Sequence, residues 1–124
     1  MYFIFQPQAS DKENTVILLV DDDTDILETC QSALEENGFH VIPCSSGQEA
    51  IHAFHTYQEE INTVITDFNM PGINGLELIQ NLSMHQPCLK TILISGNYFG
   101  DLPNNITLLS KPFTFDALML AIRQ

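Results

Sequence analysis

Basic residues are scarce in this chain: 4 Lys and Arg stand against 16 Asp and Glu, a formal charge of −12. A surface that negative repels phosphate backbones and anionic headgroups, so direct binding to DNA, RNA or a membrane is not expected. Long apolar runs are missing too, and none approaches the roughly 18 residues of a membrane-spanning helix. The apolar start, Met1 to Phe5, is too short for a secretory signal and no Lys or Arg precedes it. Cysteine is limited to Cys30, Cys44 and Cys88, with no C-x-x-C pair and no zinc spacing. They read as reduced, small apolar residues. These absences together point to a cytoplasmic protein. What is present is a 44% apolar and only 16% charged composition, which excludes disorder as the main state. At 124 residues the chain has the length of one domain with its own core.

There is no internal repeat, and apolar runs alternate with helix-like stretches. Thr15 to Val20 is a continuous β-branched and aliphatic run that ends in acids, which suits a strand covered on both faces. Ile26, Leu27, Cys30, Ala33 and Leu34 then fall on one helical face, with Thr24 or Asp23 as N-cap and Gly38 at the C-terminal turn. Phe39 to Cys44 reads as a second strand, placed at a sheet edge by Pro43. Ser46 and Glu49 form a capping-box pattern ahead of a helix whose Ala50, Ile51, Phe54 and Tyr57 face inward. Thr63 to Thr66 is a third strand, followed by Asp67. A turn with Pro71, Gly72 and Gly75 leads to a helix bearing Leu76, Leu78, Ile79 and Leu82. Thr91 to Ile94 and Ile106 to Leu109 are strands four and five, and Phe113 to Ile122 is a final amphipathic helix. This alternation predicts an α/β fold with a parallel sheet and right-handed crossovers over residues 15–124, with residues 1–14 as an extension.

Ligands of such sheets bind at the carboxyl ends of the strands, where strand order reverses. The polar residues at those ends are Asp21, Asp22 and Asp23 after the first strand, Asp67 after the third, Ser95 after the fourth and Lys111 after the fifth. Singly, each has a bland explanation as a helix cap, a turn residue or a surface charge. Together they do not, because clustered carboxylates repel unless a cation offsets them. Hard oxygen donors suit Mg²⁺, while a hydroxyl and an ammonium suit phosphoryl oxygens. The chemistry that uses all of these groups is phosphoryl transfer to a carboxylate.

In these blocks the chain resembles the response-regulator receiver domains of bacterial two-component signalling. The resemblance is carried by Val20-Asp21-Asp22, by Asp67-Phe68-Asn69-Met70-Pro71 through Gly75, by Ser95-Gly96 and by Lys111-Pro112-Phe113. It implies a doubly wound, five-stranded parallel sheet in the order 2-1-3-4-5, the flavodoxin-like arrangement. It further implies Asp67 as phosphoacceptor and Mg²⁺ held by Asp21, Asp22, Asp67 and the backbone carbonyl of Asn69. Ser95 would bond a phosphoryl oxygen after transfer, Lys111 would pair with the phosphoryl group or with the acceptor carboxylate, and Gly96 would leave the acceptor open to a partner. The implied partner is a histidine kinase or histidine phosphotransfer protein. Such a chain is not an enzyme beyond its own phosphorylation and dephosphorylation, and it is expected either to stand alone or to belong to a larger protein.

Rival readings fit less of the chain. Asp21-x-Asp23-x-Asp25 has Ile26 where an EF-hand loop needs Gly and Ser32 where it needs Glu. An aspartyl-nucleophile phosphatase, suggested by Asp21-x-Asp23-Thr24, leaves the Asp67 block unexplained. A receiver-like binding module that is never phosphorylated is the third alternative. His52, His55 and Glu59 share one face of the second helix, read as a solvated face rather than a metal site. Residues 2–5 are read as a docking strand, an extra packing element or a frayed tail.

The chain also departs from the pattern it resembles. Leu108, three residues before Lys111, stands where an aromatic residue is common. Only ten residues, Gly96 to Asn105, join strands four and five, and they include two Gly, one Pro and three Asn. So short a crossover leaves little room for a helix. The fourth helix is therefore expected to be short or absent, with Tyr98 or Phe99 reporting movement of Ser95.

Overall fold

The computed structural model describes residues 14–98 and 100–124. The apolar stretch at residues 2–5 and Phe99 lie outside the described residues. Five strands, β1 (Val16–Val20), β2 (His40–Cys44), β3 (Thr63–Asp67), β4 (Lys90–Ser95) and β5 (Ile106–Ser110), form one parallel sheet in the order β2-β1-β3-β4-β5. Helices α1 (Thr24–Glu36), α2 (Gly47–Thr56) and α3 (Gly75–His85) follow β1, β2 and β3, and the nine-residue α4 (Phe115–Arg123) follows β5.

Each central strand has two apolar faces, so successive residues enter different cores. Ile17 and Leu19 point to one layer, closed by Leu27 and Leu34 of α1 and by Leu118 and Ile122 of α4. Leu18 and Val20 point to the other, where Phe54 of α2 and Leu78 and Leu82 of α3 meet them. Burying a Leu, Ile or Phe side chain contributes about 1.5–3 kcal/mol, and these two layers fix the sheet between its helices. Pro43 is exposed on β2, which pairs only with β1, as an edge position requires.

Helix ends follow their local chemistry, with some differences from expectation. Asp23, not Thr24, caps α1, accepting the N–H groups of Asp25 and Ile26. At its other end Gly38 (φ 93°) allows the reverse turn in which Phe39 N–H bonds Leu34 O and Gly38 N–H bonds Glu35 O. Phe39 closes that turn and is buried in the core, so β2 begins one residue later, at His40. Ile26 is exposed because the buried face of α1 runs through Leu27 and Leu34. Ser46 does cap α2, but Glu49 reaches back to the N–H of Ser45 rather than to that of Ser46. The reciprocal capping box forms instead between Asn74 and Glu77 on α3. Tyr57 lies just past the last turn of α2 and is exposed, off the inward stripe. Glu59 also falls beyond that helix, so it does not share a helical face with His52 and His55. The last helix starts at Phe115, two residues later than its apolar pattern suggests, because Thr114 caps it by accepting Ala117 N–H.

The crossover from β4 to β5 contains no helix among its described residues. Thr91 Oγ1 ties its end by donating to Asn105 O, and Leu102 packs with Phe68 and Leu76 around Ile79, Leu93 and Ile106. The Leu102 side chain thus covers part of the sheet where a crossover helix would lie. No helix among the described residues is long and apolar enough to cross a membrane.

Candidate functional site

Strand order reverses between β1 and β3, and the acids that end those strands meet there. Val20 pairs with Thr66, which brings Asp21 beside Asp67. The Asp21 backbone N–H bonds Cys44 O at 3.1 Å, and its Oδ1 accepts the N–H of Asp23 at 2.9 Å. Asp22 is exposed beside it. One carboxylate oxygen from each of Asp21, Asp22 and Asp67 lies within 4.8 Å of the others. Asp23, though adjacent in sequence, is committed to capping α1 and is not part of this group.

Asp67 is the last residue of β3 rather than the first of the following loop, and it is buried. Three hydrogen bonds hold its backbone and that of Phe68, the next residue. Thr66 Oγ1 donates to Asp67 O, Phe68 N–H bonds Ile94 O at 2.8 Å, and Gly75 N–H bonds Phe68 O at 2.9 Å. Gly75 is required sterically, since a Cβ there would lie 2.2 Å from the Asp67 carbonyl oxygen. The start of α3 therefore rests directly on the backbone of the candidate acceptor.

Lys111 comes from the far end of the chain, at the turn that follows β5. Its N–H bonds Ser95 O at 2.9 Å, which registers the β5 end against the β4 end. Its Nζ reaches Asp67 Oδ1 at 3.0 Å. Ser95 is buried, and its Oγ accepts the N–H of Asn97 at 3.2 Å. Asn69 is exposed, two residues beyond the end of β3. Gly96 is exposed, and the nearest atom to a Cβ built there is Lys111 Cβ at 3.9 Å. The structure thus brings Asp21, Asp22, Asp67 and Lys111 together, and ties Ser95 to Lys111 through the backbone.

The charges within this group oppose and offset one another. Burial pushes the Asp21 carboxyl above its ordinary value, the bond from Asp23 N–H counters this, and the negative charges of Asp67 and Asp22 push it up further. Burial alone would lower the Lys111 ammonium, but its hydrogen bond to Asp67 and the fields of Asp67, Asp21 and Asp22 hold it raised. Three carboxylates against one ammonium leave net negative charge at one sheet edge, held by oxygen donors only. That donor set fits a hard divalent cation such as Mg²⁺. Among the described residues it is also the only group of three or more potential metal-ligating side chains. His55 lies instead edge-on to His85, ring centroids 5.1 Å apart, on the surface.

Two features of the site were not singled out from the sequence. One is the close approach of Gly75 to Asp67, for which the only sequence signal is a glycine at a fixed distance after the acid. The other is Phe68, whose ring meets Tyr98 at 5.2 Å between centroids. Nothing local in the sequence announces that contact.

Comparison with known proteins shows the family. The family model for the response regulator receiver domain matches residues 17–123. The response regulator receiver protein CpdR of Brucella abortus is 34% identical over 103 residues, spanning 78% of this chain and 84% of that protein. The C4-dicarboxylate transport transcriptional regulatory protein DctD of Rhizobium meliloti is 32% identical over 116 residues, 87% of this chain, but the match spans only 24% of its length. Among solved structures, the response regulator protein TrrA of Thermotoga maritima, in complex with Mg²⁺ and a beryllium fluoride, superposes with a TM-score of 0.74 at 30% identity, covering 88% of this chain and 96% of that one. The chain belongs to the response regulator receiver domain family.

Proposed function

We propose that this receiver domain accepts a phosphoryl group on Asp67 from a histidine kinase or histidine phosphotransfer protein and signals by the conformational change that follows. The observation that carries the proposal is the grouping of three carboxylates within 4.8 Å with the Lys111 ammonium 3.0 Å from Asp67. An Asp67 oxygen attacks phosphorus; the new P–O bond forms as the P–N bond of the donor phosphohistidine breaks, and the imidazole leaves with the electron pair. Lys111, already bonded to Asp67, holds the attacking carboxylate in place and offsets charge on the transferring group. The Ser95 hydroxyl donates to a phosphoryl oxygen once transfer has occurred.

Asp21, Asp22, Asp67 and the Asn69 carbonyl would hold Mg²⁺, which when bound neutralises phosphoryl charge. The complex of TrrA with Mg²⁺ and a beryllium fluoride supports extending this to a relative of 30% identity. A soluble cytoplasmic setting is part of the same proposal. So is the absence of turnover on any other substrate.

Incubation with acetyl phosphate or phosphoramidate in Mg²⁺, read by intact mass, tests the proposal. Wild type is expected to gain one acid-stable, base-labile phosphoryl group, and Asp67→Asn none. A phosphoryl gain on Asp67→Asn overturns the acceptor assignment, and no gain on wild type from any donor favours a binding module that is not phosphorylated.

A further inference from the structure

Of the chain's 4 histidines, His55 and His85 meet although they come from different helices. His55 stands in the last turn of α2, and His85 is the last residue of α3. Their ring centroids are 5.1 Å apart, with planes at 71°. Both residues are exposed, so their ring nitrogens are open to an ion from solution. The backbone that carries them is fixed. His55 follows Phe54, which is fully buried, and the two rings meet edge-on at 6.1 Å. Directly after His85, Gln86 Nε2 donates to Ile61 O at 3.1 Å, and Gln58 Nε2 reaches His85 O at 3.5 Å. The ends of α2 and α3 are thereby tied together, and packing sets the spacing of the two imidazoles. Glu59 and Glu60 line one open groove with His55. The helical face expected for His52, His55 and Glu59 does not form, and the fold gives His55 a partner from the next helix instead.

We propose that His55 and His85 together bind a divalent transition-metal ion such as Zn²⁺, at a site separate from the acids at the carboxyl edge of the sheet. Two imidazoles on one tetrahedral ion, each with a metal–nitrogen bond of about 2.0–2.1 Å, hold their centroids roughly 5 Å apart. The observed 5.1 Å already meets that requirement. Rotation of each ring about its Cβ–Cγ bond aims one nitrogen of each at a shared point, and that torsion is broad in histidine. No third His, Cys, Asp or Glu among the described residues joins the pair with every ligating atom within 4.8 Å, so water completes the coordination. The carboxylates of Glu59 and Glu60 add attraction for the cation, and either can accept the second N–H of the His55 ring. Imidazole donors suit Zn²⁺, Cu²⁺ or Ni²⁺, whereas the all-oxygen set at Asp21, Asp22 and Asp67 suits Mg²⁺. The two sites therefore select different ions. Metal held by both histidines links the end of α2 to the end of α3.

Zn²⁺ titration of the isotope-labelled full chain tests this by NMR and calorimetry, in excess Mg²⁺ to occupy the acids and with a non-chelating reductant. The ring resonances of His55 and His85 should shift together and saturate at one equivalent, while those of His40 and His52 stay in place. His55→Ala and His85→Ala should each weaken Zn²⁺ binding at least about tenfold, the loss that even an outer-shell partner causes. The double variant should lose little more than either single one, since either change breaks the pair. Losses that add in the double variant overturn the shared ion, as does a Zn²⁺ response confined to Asp21, Asp22 and Asp67. Cys88, exposed shortly after His85, is the competing ligand. Cys88→Ser should leave the affinity unchanged, and a loss there equal to that of His85→Ala assigns the ion to the thiol and overturns the pair. At ten times its dissociation constant, Zn²⁺ should raise the melting temperature of wild type by about 4–7 °C. An equal rise in His85→Ala overturns the link between the helices.

Discussion

Replacing Asp22 by Asn separates charge repulsion from metal binding at the site. Two unit charges 4.8 Å apart, the limit of separation among these carboxylates, repel by about 0.9 kcal/mol even at the dielectric constant of water. Asp22 faces two such partners, Asp21 and Asp67, and its attraction to Lys111 offsets part of that repulsion. Because Asp22 is exposed, salt screens what remains. Asp22→Asn should therefore stabilise the metal-free protein by about 1 kcal/mol at low ionic strength, or roughly 3–5 °C in melting temperature for a domain of this size. Mg²⁺ reverses the order. At a concentration ten times the dissociation constant, a ligand that binds only the native state adds RT ln 11, about 1.4 kcal/mol, and Asp22→Asn should gain much less. Plots of melting temperature against Mg²⁺ concentration for the two proteins should cross. Thermal denaturation followed by circular dichroism, in EDTA and across a Mg²⁺ titration, reads both effects. A variant with the same Mg²⁺ response as wild type refutes the ligand assignment. A variant no more stable than wild type in EDTA refutes the repulsion argument.

Metal affinity should fall as the solution is acidified. The raised pKa of Asp21 means that its proton competes with the cation from above the ordinary value of 3.8. The same shift makes a destabilising contribution to the metal-free fold that is absent below 3.8, grows above it and is complete above the raised value. Calorimetric Mg²⁺ titrations between mildly acidic and neutral pH should show weakening that Asp21→Asn abolishes; an unchanged pH dependence in that variant would exclude Asp21 as the cause. Gly75→Ala should destabilise the domain by about 1–3 kcal/mol and slow phosphoryl uptake, since its Cβ meets the Asp67 backbone. At Gly47 a Cβ would clash only with the Ile73 Cγ2 methyl, the Ile73 carbonyl oxygen lying at an ordinary 3.5 Å, so Gly47→Ala should cost less in urea unfolding, and the reverse ranking would refute the steric account. Iodoacetamide should label exposed Cys88 first and buried Cys44 only on unfolding, because burial pushes the Cys44 thiol up to about 12; early labelling of Cys44 by peptide mapping would contradict its burial.

Element order and the identity of the strand-end acids were legible because both are local. A β-branched run such as Thr15 to Val20 cannot bury its side chains as a lone helix turn, and an acid or glycine at its end stops it. The short crossover was legible for a similar reason, as ten residues rich in Gly, Pro and Asn have no length to spare for a helix. The ends of elements were less so. Thr114 rather than the apolar Phe113 sets the start of α4, since a cap satisfies backbone N–H groups that a hydrophobic pattern does not count.

By itself, then, the sequence determined the parallel α/β arrangement and which residues sit at the carboxyl edge of the sheet, because hydrophobic period and turn chemistry act over a few residues. Only the tertiary structure decided which of its two expected partners Lys111 bonds, Asp67, that Gly75 lies against the acceptor's carbonyl and that Tyr98 rests on Phe68. Those contacts join groups from different strand ends and loops. They exist because the packed sheet brings the ends of β1, β3, β4 and β5 to one edge, and that distance is set by packing and is not written in any local stretch of chain.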